Sequence, residues 1–111
     1  MSHIADRSQL DPLLRDQRFA ALATEQAGAP YANLVAFAAT PDLRALLFAT
    51  PRGTRKYANL CREPRVALLI DNRANEPDDI HSASVVTALG RATAVAPAEQ
   101  PGVRTLYLQR H

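Results

Sequence analysis

The sequence is poor in the residues that build several common site types: it has one cysteine, four glycines and no tryptophan. A lone thiol, Cys61, cannot form an intramolecular disulfide or a thiolate metal cluster, and it suits a reducing compartment. Neither the G-x-x-x-x-G-K loop of phosphate-binding enzymes nor the G-x-G-x-x-G dinucleotide fingerprint occurs. These absences exclude a disulfide scaffold and two widespread nucleotide-binding loops.

Long hydrophobic runs are also missing. The N-terminal stretch "MSHIADRSQL" has no apolar core of secretory length. No segment approaches the roughly 20 apolar residues that a membrane-spanning helix needs. We therefore expect a cytoplasmic protein with no membrane partner.

Charge of one sign is not concentrated anywhere in the chain. The 13 Lys and Arg residues are interspersed with 11 Asp and Glu residues, which leaves a net charge of +2. No run of five like charges and no basic stripe interleaved with aromatics is present, so a nucleic-acid partner is not expected. Lys56 is the single lysine among these 13 cations.

The size indicates one globular unit. With 111 residues, of which 47% are hydrophobic, the chain is predicted to form a single domain over residues 1–111. A domain this small buries a modest fraction of its surface, so a partner subunit or ligand is a plausible source of added stability.

The order of elements predicts an α+β fold, mainly β, in which short helices flank an antiparallel barrel or curved sheet. Apolar patterning and turn residues predict a helix over 8–17 and then a hairpin that turns at "EQAGAP", with its second strand from Tyr31 to Ala39. Two further strands are predicted over 44–50 and 65–71, and a polar connection over 72–82. The last predicted elements are a strand from Ala83 to Val95, bent or bulged at Gly90, and a C-terminal helix.

One further helix, from Thr54 to Glu63, begins with an electrostatic conflict. Thr54 is its expected N-cap and Pro64 its stop, and Tyr57, Leu60 and Cys61 are expected on its apolar face. Arg55 and Lys56 then lie in the first turn, where unpaired N–H groups already carry positive charge. A bound phosphate would remove this conflict, and the hydroxyls of Thr50 and Thr54 would complete the site. Taken alone, however, an exposed Arg-Lys pair usually binds nothing specific.

The same stretch carries a family resemblance. The segments "RFAALATEQAGAPYANLVAFA", "LLFATPRGTRKYANLCREPRVALLID" and "VVTALGRATAV" resemble the FMN-binding split barrel proteins related to pyridoxamine 5'-phosphate oxidase. The resemblance covers residues 18–96 and implies an antiparallel split β-barrel. Its most specific motif is formed by Thr50, Thr54, Arg55, Lys56, Asn59, Leu60, Glu63, Pro64, Arg65 and Val66.

This resemblance implies a homodimer that binds FMN at the subunit interface and acts as an oxidoreductase on a small-molecule substrate. It places the flavin ring against Asn33, Leu34, Val35 and Ala36, the ribityl chain and phosphate beside Ala49 and Thr50, and the phosphate on Thr54, Arg55 and Lys56. The competing interpretation of Asn33 to Ala36 is plain strand core, and for the three apolar residues both interpretations can hold. No protein side chain is implied as a catalytic acid or base, because the flavin itself transfers hydride or electrons.

Departures from the family pattern leave the function open. Val85 stands where pyridoxamine 5'-phosphate oxidases carry a glutamine, and the chain ends about where relatives continue, which indicates a minimal or truncated member and disfavours vitamin B6 oxidation. A deazaflavin- or haem-binding relative and a non-catalytic flavin store or sensor are the alternatives. Cys61 is interpreted as a packing residue. The three histidines, His3, His81 and His111, lack metal-ligand spacing and are interpreted as surface residues, so no metal site is predicted.

Overall fold

The computed structural model describes residues 7–111, which form four short helices and six strands. In chain order they are α1 (Arg7–Asp16), β1 (Phe19–Gln26), β2 (Ala29–Ala36), β3 (Ala38–Ala39), β4 (Leu46–Leu47), α2 (Arg55–Arg62), β5 (Arg65–Asp71), α3 (Asp79–Ser82), β6 (Val85–Arg91) and α4 (Gln100–Leu108). The strand pairs are all antiparallel, and this confirms the predicted α+β class.

The predicted hairpin forms from β1 and β2, with a two-residue turn at Ala27 and Gly28. Both turn residues have positive φ angles, 50° and 84°. Such angles match the turn to the right-handed twist of the strands. The Gly28 N–H donates to Glu25 Oε1 at 3.2 Å, which adds a side-chain contact across the turn.

The main sheet has the strand order β2-β1-β5-β6, so β2 and β6 are its edge strands. Alternate residues of each strand point to opposite faces. The inner face carries the core, whose fully buried members include Leu22, Phe37 and Ile70. Leu13 and Leu14 of α1 cover part of this face.

The second predicted strand, Tyr31 to Ala39, is interrupted at Phe37. This side chain is 0% exposed. Its backbone N–H donates to Arg18 O at 3.0 Å, which extends the β1–β2 register by one more pair, and the chain then continues as the two-residue β3. The expected strand over 44–50 is likewise reduced to Leu46–Leu47, which pairs only with β3 in the described part of the chain.

The later elements differ from the sequence predictions in length. A short helix, α3, forms within the connection predicted to be irregular, and Asp79 accepts hydrogen bonds from the N–H groups of Ala74 and Glu76 at 3.0 Å each. Strand β6 is shorter than the predicted 83–95. Gly90 pairs with Val66 in a continuous register, so the bulge expected there is absent.

The C-terminal residues fasten α4 to the rest of the domain. Arg110 Nη2 donates to Gln17 O at 2.6 Å, and Arg18 Nη1 donates to Arg110 O at 2.7 Å. The His111 ring lies 4.9 Å from the Tyr107 ring, and its Nε2 is 2.7 Å from Phe37 O. None of the described helices is long and apolar enough to cross a membrane.

Candidate functional site

Helix α2 begins with a side-chain cap. Thr54 has extended backbone angles, φ −90° and ψ 157°, and its Oγ1 accepts from Tyr57 N at 3.2 Å. The same hydroxyl donates to Pro51 O at 2.9 Å and lies 3.1 Å from Thr50 Oγ1. Because Thr54 uses its proton on Pro51, Thr50 is the donor in the hydroxyl pair. Two hydroxyls therefore meet at the helix N-terminus, as the sequence predicted for this corner.

The first turn of α2 contains Arg55 and Lys56 and no acidic residue. Arg55 is exposed, and its guanidinium lies over the Tyr31 ring at 5.4 Å from the centroid. Lys56 is half-buried. Both cations are at the positive end of the helix dipole, where an anion is favoured and a cation is not. We call Thr50, Thr54, Arg55 and Lys56 the cationic corner.

The acidic group nearest in sequence after α2 is already engaged. Glu63 caps the opposite end of this helix. Its carboxylate accepts from Arg65 Nε at 2.8 Å and from Arg65 N at 3.2 Å. The Arg65 side-chain hydrogen bond is the larger cause that holds the Glu63 pKa below its usual value. Glu63 is thus paired with Arg65 at the far end of α2 from the cationic corner.

The four predicted ring-facing residues occupy both faces of edge strand β2. Leu34 is 68% exposed on the outer face together with Ala36, whereas Val35 is 4% exposed in the core. Asn33 shares the inner face, and its Oδ1 is buried without a hydrogen-bond partner. A ligand outside the sheet can therefore meet the side chains of Leu34 and Ala36, but only the main chain of the other two. Ala49 is exposed and Thr50 half-buried.

Two residues near the cationic corner escaped the sequence prediction of the site. Asn59 belongs to the family motif, but the sequence predicts no part for it in the site. It is the buried residue of α2. Its Nδ2 donates to Thr24 Oγ1 at 3.2 Å. The sequence predicts Tyr31 only as a strand residue, whereas in the structure its ring contacts Arg55. By contrast, the prediction that Cys61 packs on the apolar face is wrong, because Cys61 is exposed. His81 is exposed as expected, and His3 lies outside the described residues.

A large groove separates the β3–β4 hairpin from β6. It encloses about 1060 Å³, and apolar side chains such as Leu46, Phe48, Leu60 and Val86 dominate its lining. It exists because β4 and β6 belong to different sheets, which leaves the barrel open between them. Thr50 is on its rim, but Arg55 and Lys56 do not line it. The groove is thus apolar barrel interior, and the cationic corner is the better place for an anionic ligand.

Comparison with solved structures identifies the architectural class. A protein of unknown function from Agrobacterium tumefaciens is 25% identical, with a TM-score of 0.75 over 95% of this chain and 46% of its own. An FAD-binding protein from Mesorhizobium loti is 18% identical, with a TM-score of 0.74 over 95% of this chain and 72% of its own. A heme-binding protein from Mycobacterium smegmatis is 20% identical, with a TM-score of 0.80 over 99% of this chain and 45% of its own. The fold is therefore the split barrel that these proteins share.

The family follows from the sequence comparison. The family model for pyridoxamine 5'-phosphate oxidase matches residues 7–107, and the chain belongs to this family. No curated protein sequence matches the chain. The chain spans less than half of the length of the Agrobacterium and Mycobacterium structures.

Proposed function

We propose that this protein binds FMN and holds its phosphate at the cationic corner. The observation that carries the proposal is the start of α2, where two hydrogen-bonded hydroxyls and two cations surround unpaired helix N–H groups without an acidic residue in the first turn. A phosphate dianion would satisfy the N–H donors and neutralise the two cations at once. The residues present therefore fit the phosphate end of the cofactor.

The flavin ring is assigned to the outer side of β2. The Arg55–Tyr31 contact brings the cationic corner next to the beginning of this strand, on the face opposite to Leu34 and Ala36, so the ligand would cross the free edge of β2 to reach both. The strand is at the sheet edge, where main-chain N–H and C=O groups are available to a ligand. Leu34 and Ala36 would contact the ring by their side chains and by their edge-facing main-chain groups. Asn33 and Val35 direct their main-chain N–H and C=O groups to β1, so they would border the ring without hydrogen-bonding it. Ala49 and Thr50 would border the ribityl chain.

An oxidoreductase reaction is the activity that suits this arrangement. A bound flavin supplies hydride and electron transfer, whereas the protein supplies binding and orientation. Arg55 and Lys56 would anchor the phosphate end, and β2 would fix the plane of the ring. The substrate is proposed to be a small molecule that reaches the exposed side of the ring. No side chain is proposed as a catalytic acid or base.

A homodimer is proposed to complete the flavin site. Five large apolar side chains lie on the outer face of the main sheet, each 39% to 82% exposed: Phe19, Leu34, Leu69, Val85 and Leu89. We call these residues the outer apolar face. Exposed apolar side chains that share one sheet face are typical of protein–protein contacts. Leu34 belongs both to this face and to the proposed ring site, so a second copy seated here would cover the ring.

The absorption spectrum of the purified protein tests the proposal, together with mass spectrometry of the released ligand and titration of the ligand-free protein. We expect a flavin spectrum, the mass of FMN, and tighter binding of FMN than of riboflavin. Riboflavin is the matched ligand because it lacks only the phosphate. Equal affinity for both flavins would rule out the cationic corner as a phosphate site.

The solved structures favour FAD and haem as second candidates, because one similar protein is described as FAD-binding and another as heme-binding. FAD also carries phosphates, so the cationic corner would serve it equally, and mass spectrometry separates it from FMN. Haem would give an intense Soret band in place of a flavin spectrum. A flavin store or sensor would bind FMN but would not turn over a substrate.

A further inference from the structure

Helix α2 makes two side-chain contacts with one cross-strand pair of the hairpin. Thr24 of β1 lies opposite Tyr31 of β2. Asn59 Nδ2 donates to Thr24 Oγ1 at 3.2 Å, and this hydroxyl donates onward to Tyr31 O at 3.5 Å. Arg55 places its guanidinium over the ring of the same tyrosine. Two successive turns of α2 thus contact one pair of residues.

The hydrogen bond between Asn59 and Thr24 is buried, and this favours one orientation of α2. Asn59 is 1% exposed and Thr24 is 5% exposed, so neither polar group can exchange its partner for bulk water. A buried polar group without its partner is costly, which favours the single helix orientation that keeps the bond. An apolar contact at this position would constrain the rotation of α2 less, because the hydrophobic effect is not directional.

The helical repeat relates this bond to the charge at the helix start. Arg55 and Asn59 are four residues apart and therefore lie on the same side of α2. When Asn59 is held against Thr24, Arg55 is directed to the hairpin, over Tyr31 and beside the first residues of β2. A rotation of the helix would turn Arg55 away from that strand.

We propose that Asn59 is a positioning residue of the anion site: through its buried bond to Thr24 it sets the rotation of α2 and thereby aims Arg55 at the phosphate of the ligand. This inference rests on the proposed binding of FMN. It predicts that a residue without access to the ligand controls the preference for a phosphorylated flavin.

The test compares FMN and riboflavin affinities of Asn59→Ala, Thr24→Val and Thr24→Ser by fluorescence titration of ligand-free protein. We expect Asn59→Ala and Thr24→Val to reduce the FMN affinity about three- to tenfold and to leave the riboflavin affinity unchanged. Thr24→Ser keeps the hydroxyl and should retain the FMN preference. Thr24→Val preserves the shape of the side chain, so it remains informative if Asn59→Ala does not fold.

The double variant Asn59→Ala/Arg55→Ala shows whether Asn59 acts through Arg55. In the Arg55→Ala background, loss of Asn59 should no longer change the ratio of FMN to riboflavin affinity, because the cation that it orients is gone. An additive effect on that ratio would overturn the proposal, as would equal losses of both flavins in Asn59→Ala and Thr24→Val. If Arg55→Ala alone leaves the ratio unchanged, the phosphate site itself is wrong, and that outcome is distinct from a failure of Asn59.

Discussion

Replacement of Arg55 by alanine should lower FMN affinity selectively. A charge-assisted hydrogen bond contributes about 1.5 to 3 kcal/mol. Arg55 is exposed, and solvent screens its charge, so the lower end of this range applies. About 1.5 kcal/mol corresponds to roughly a tenfold weaker affinity. Lys56 is half-buried, so its replacement by alanine should lower the FMN affinity at least as much.

Fluorescence titration of ligand-free protein with FMN and with riboflavin measures this effect. Riboflavin should respond little to either substitution, because it has no phosphate for the cations to contact. The FMN affinity of the parent protein should also fall as salt rises, and the fall should be smaller in Arg55→Ala.

The matched control is Arg62→Ala. This arginine lies in the last turn of the same helix, where a cation is favourable to the dipole and distant from the first turn. Its loss should reduce helix stability slightly and leave both flavin affinities unchanged. The assignment of the phosphate to the first turn would be refuted if Arg62→Ala and Arg55→Ala weakened FMN binding equally, or if Arg55→Ala weakened riboflavin as much as FMN.

Three further substitutions examine assembly, core and pH dependence. Leu89→Asp on the outer apolar face should convert a dimer to a monomer in light scattering. Ile80→Asp, which is outside that face, should leave the dimer intact. A parent protein that is monomeric and still binds FMN tightly would contradict the dimer. Leu22→Ala should cost about 2 to 5 kcal/mol in urea unfolding because Leu22 is 0% exposed, and the exposed Leu108→Ala should cost little. Backbone N–H groups lower the pKa of Asp79 below 3.8, so its stabilising contribution is present above that pH and is lost as the pH falls through the lowered value. The urea midpoint of Asp79→Asn should therefore change less between pH 7 and pH 3 than that of the parent, and identical changes would contradict this role.

Elements with local signals were predictable from the sequence. Helix α2 is found within one residue of its predicted ends, because Thr54 caps it and Pro64 prevents its continuation. Strand β5 coincides with the predicted run 65–71, because its apolar sequence is bounded by a proline and a polar loop. Each of these boundaries depends on residues within the segment or immediately beside it.

Features that depend on distant residues were not predictable. Asn59 is buried because Thr24, 35 positions earlier, accepts its hydrogen bond, and nothing in the helix sequence indicates that partner. The strand before Phe48 is short because, in the described part of the chain, it pairs with just the two residues of β3, and the sequence of the segment does not indicate that partner. The exposure of Cys61 likewise depends on how α2 packs against the rest of the domain, which the helix sequence alone does not determine.

The position of β2 at the sheet edge also bears on the solubility of the protein. An eight-residue edge strand presents main-chain donors and acceptors that can pair with a strand of another molecule, which is a common beginning of aggregation. Pro30 removes one of the donors that face the free edge of β2, but Ala32, Leu34 and Ala36 keep theirs. A flavin lying along this edge and a second subunit covering it would block such pairing. Shortage of flavin during expression would then reduce the yield of soluble protein as well as its colour.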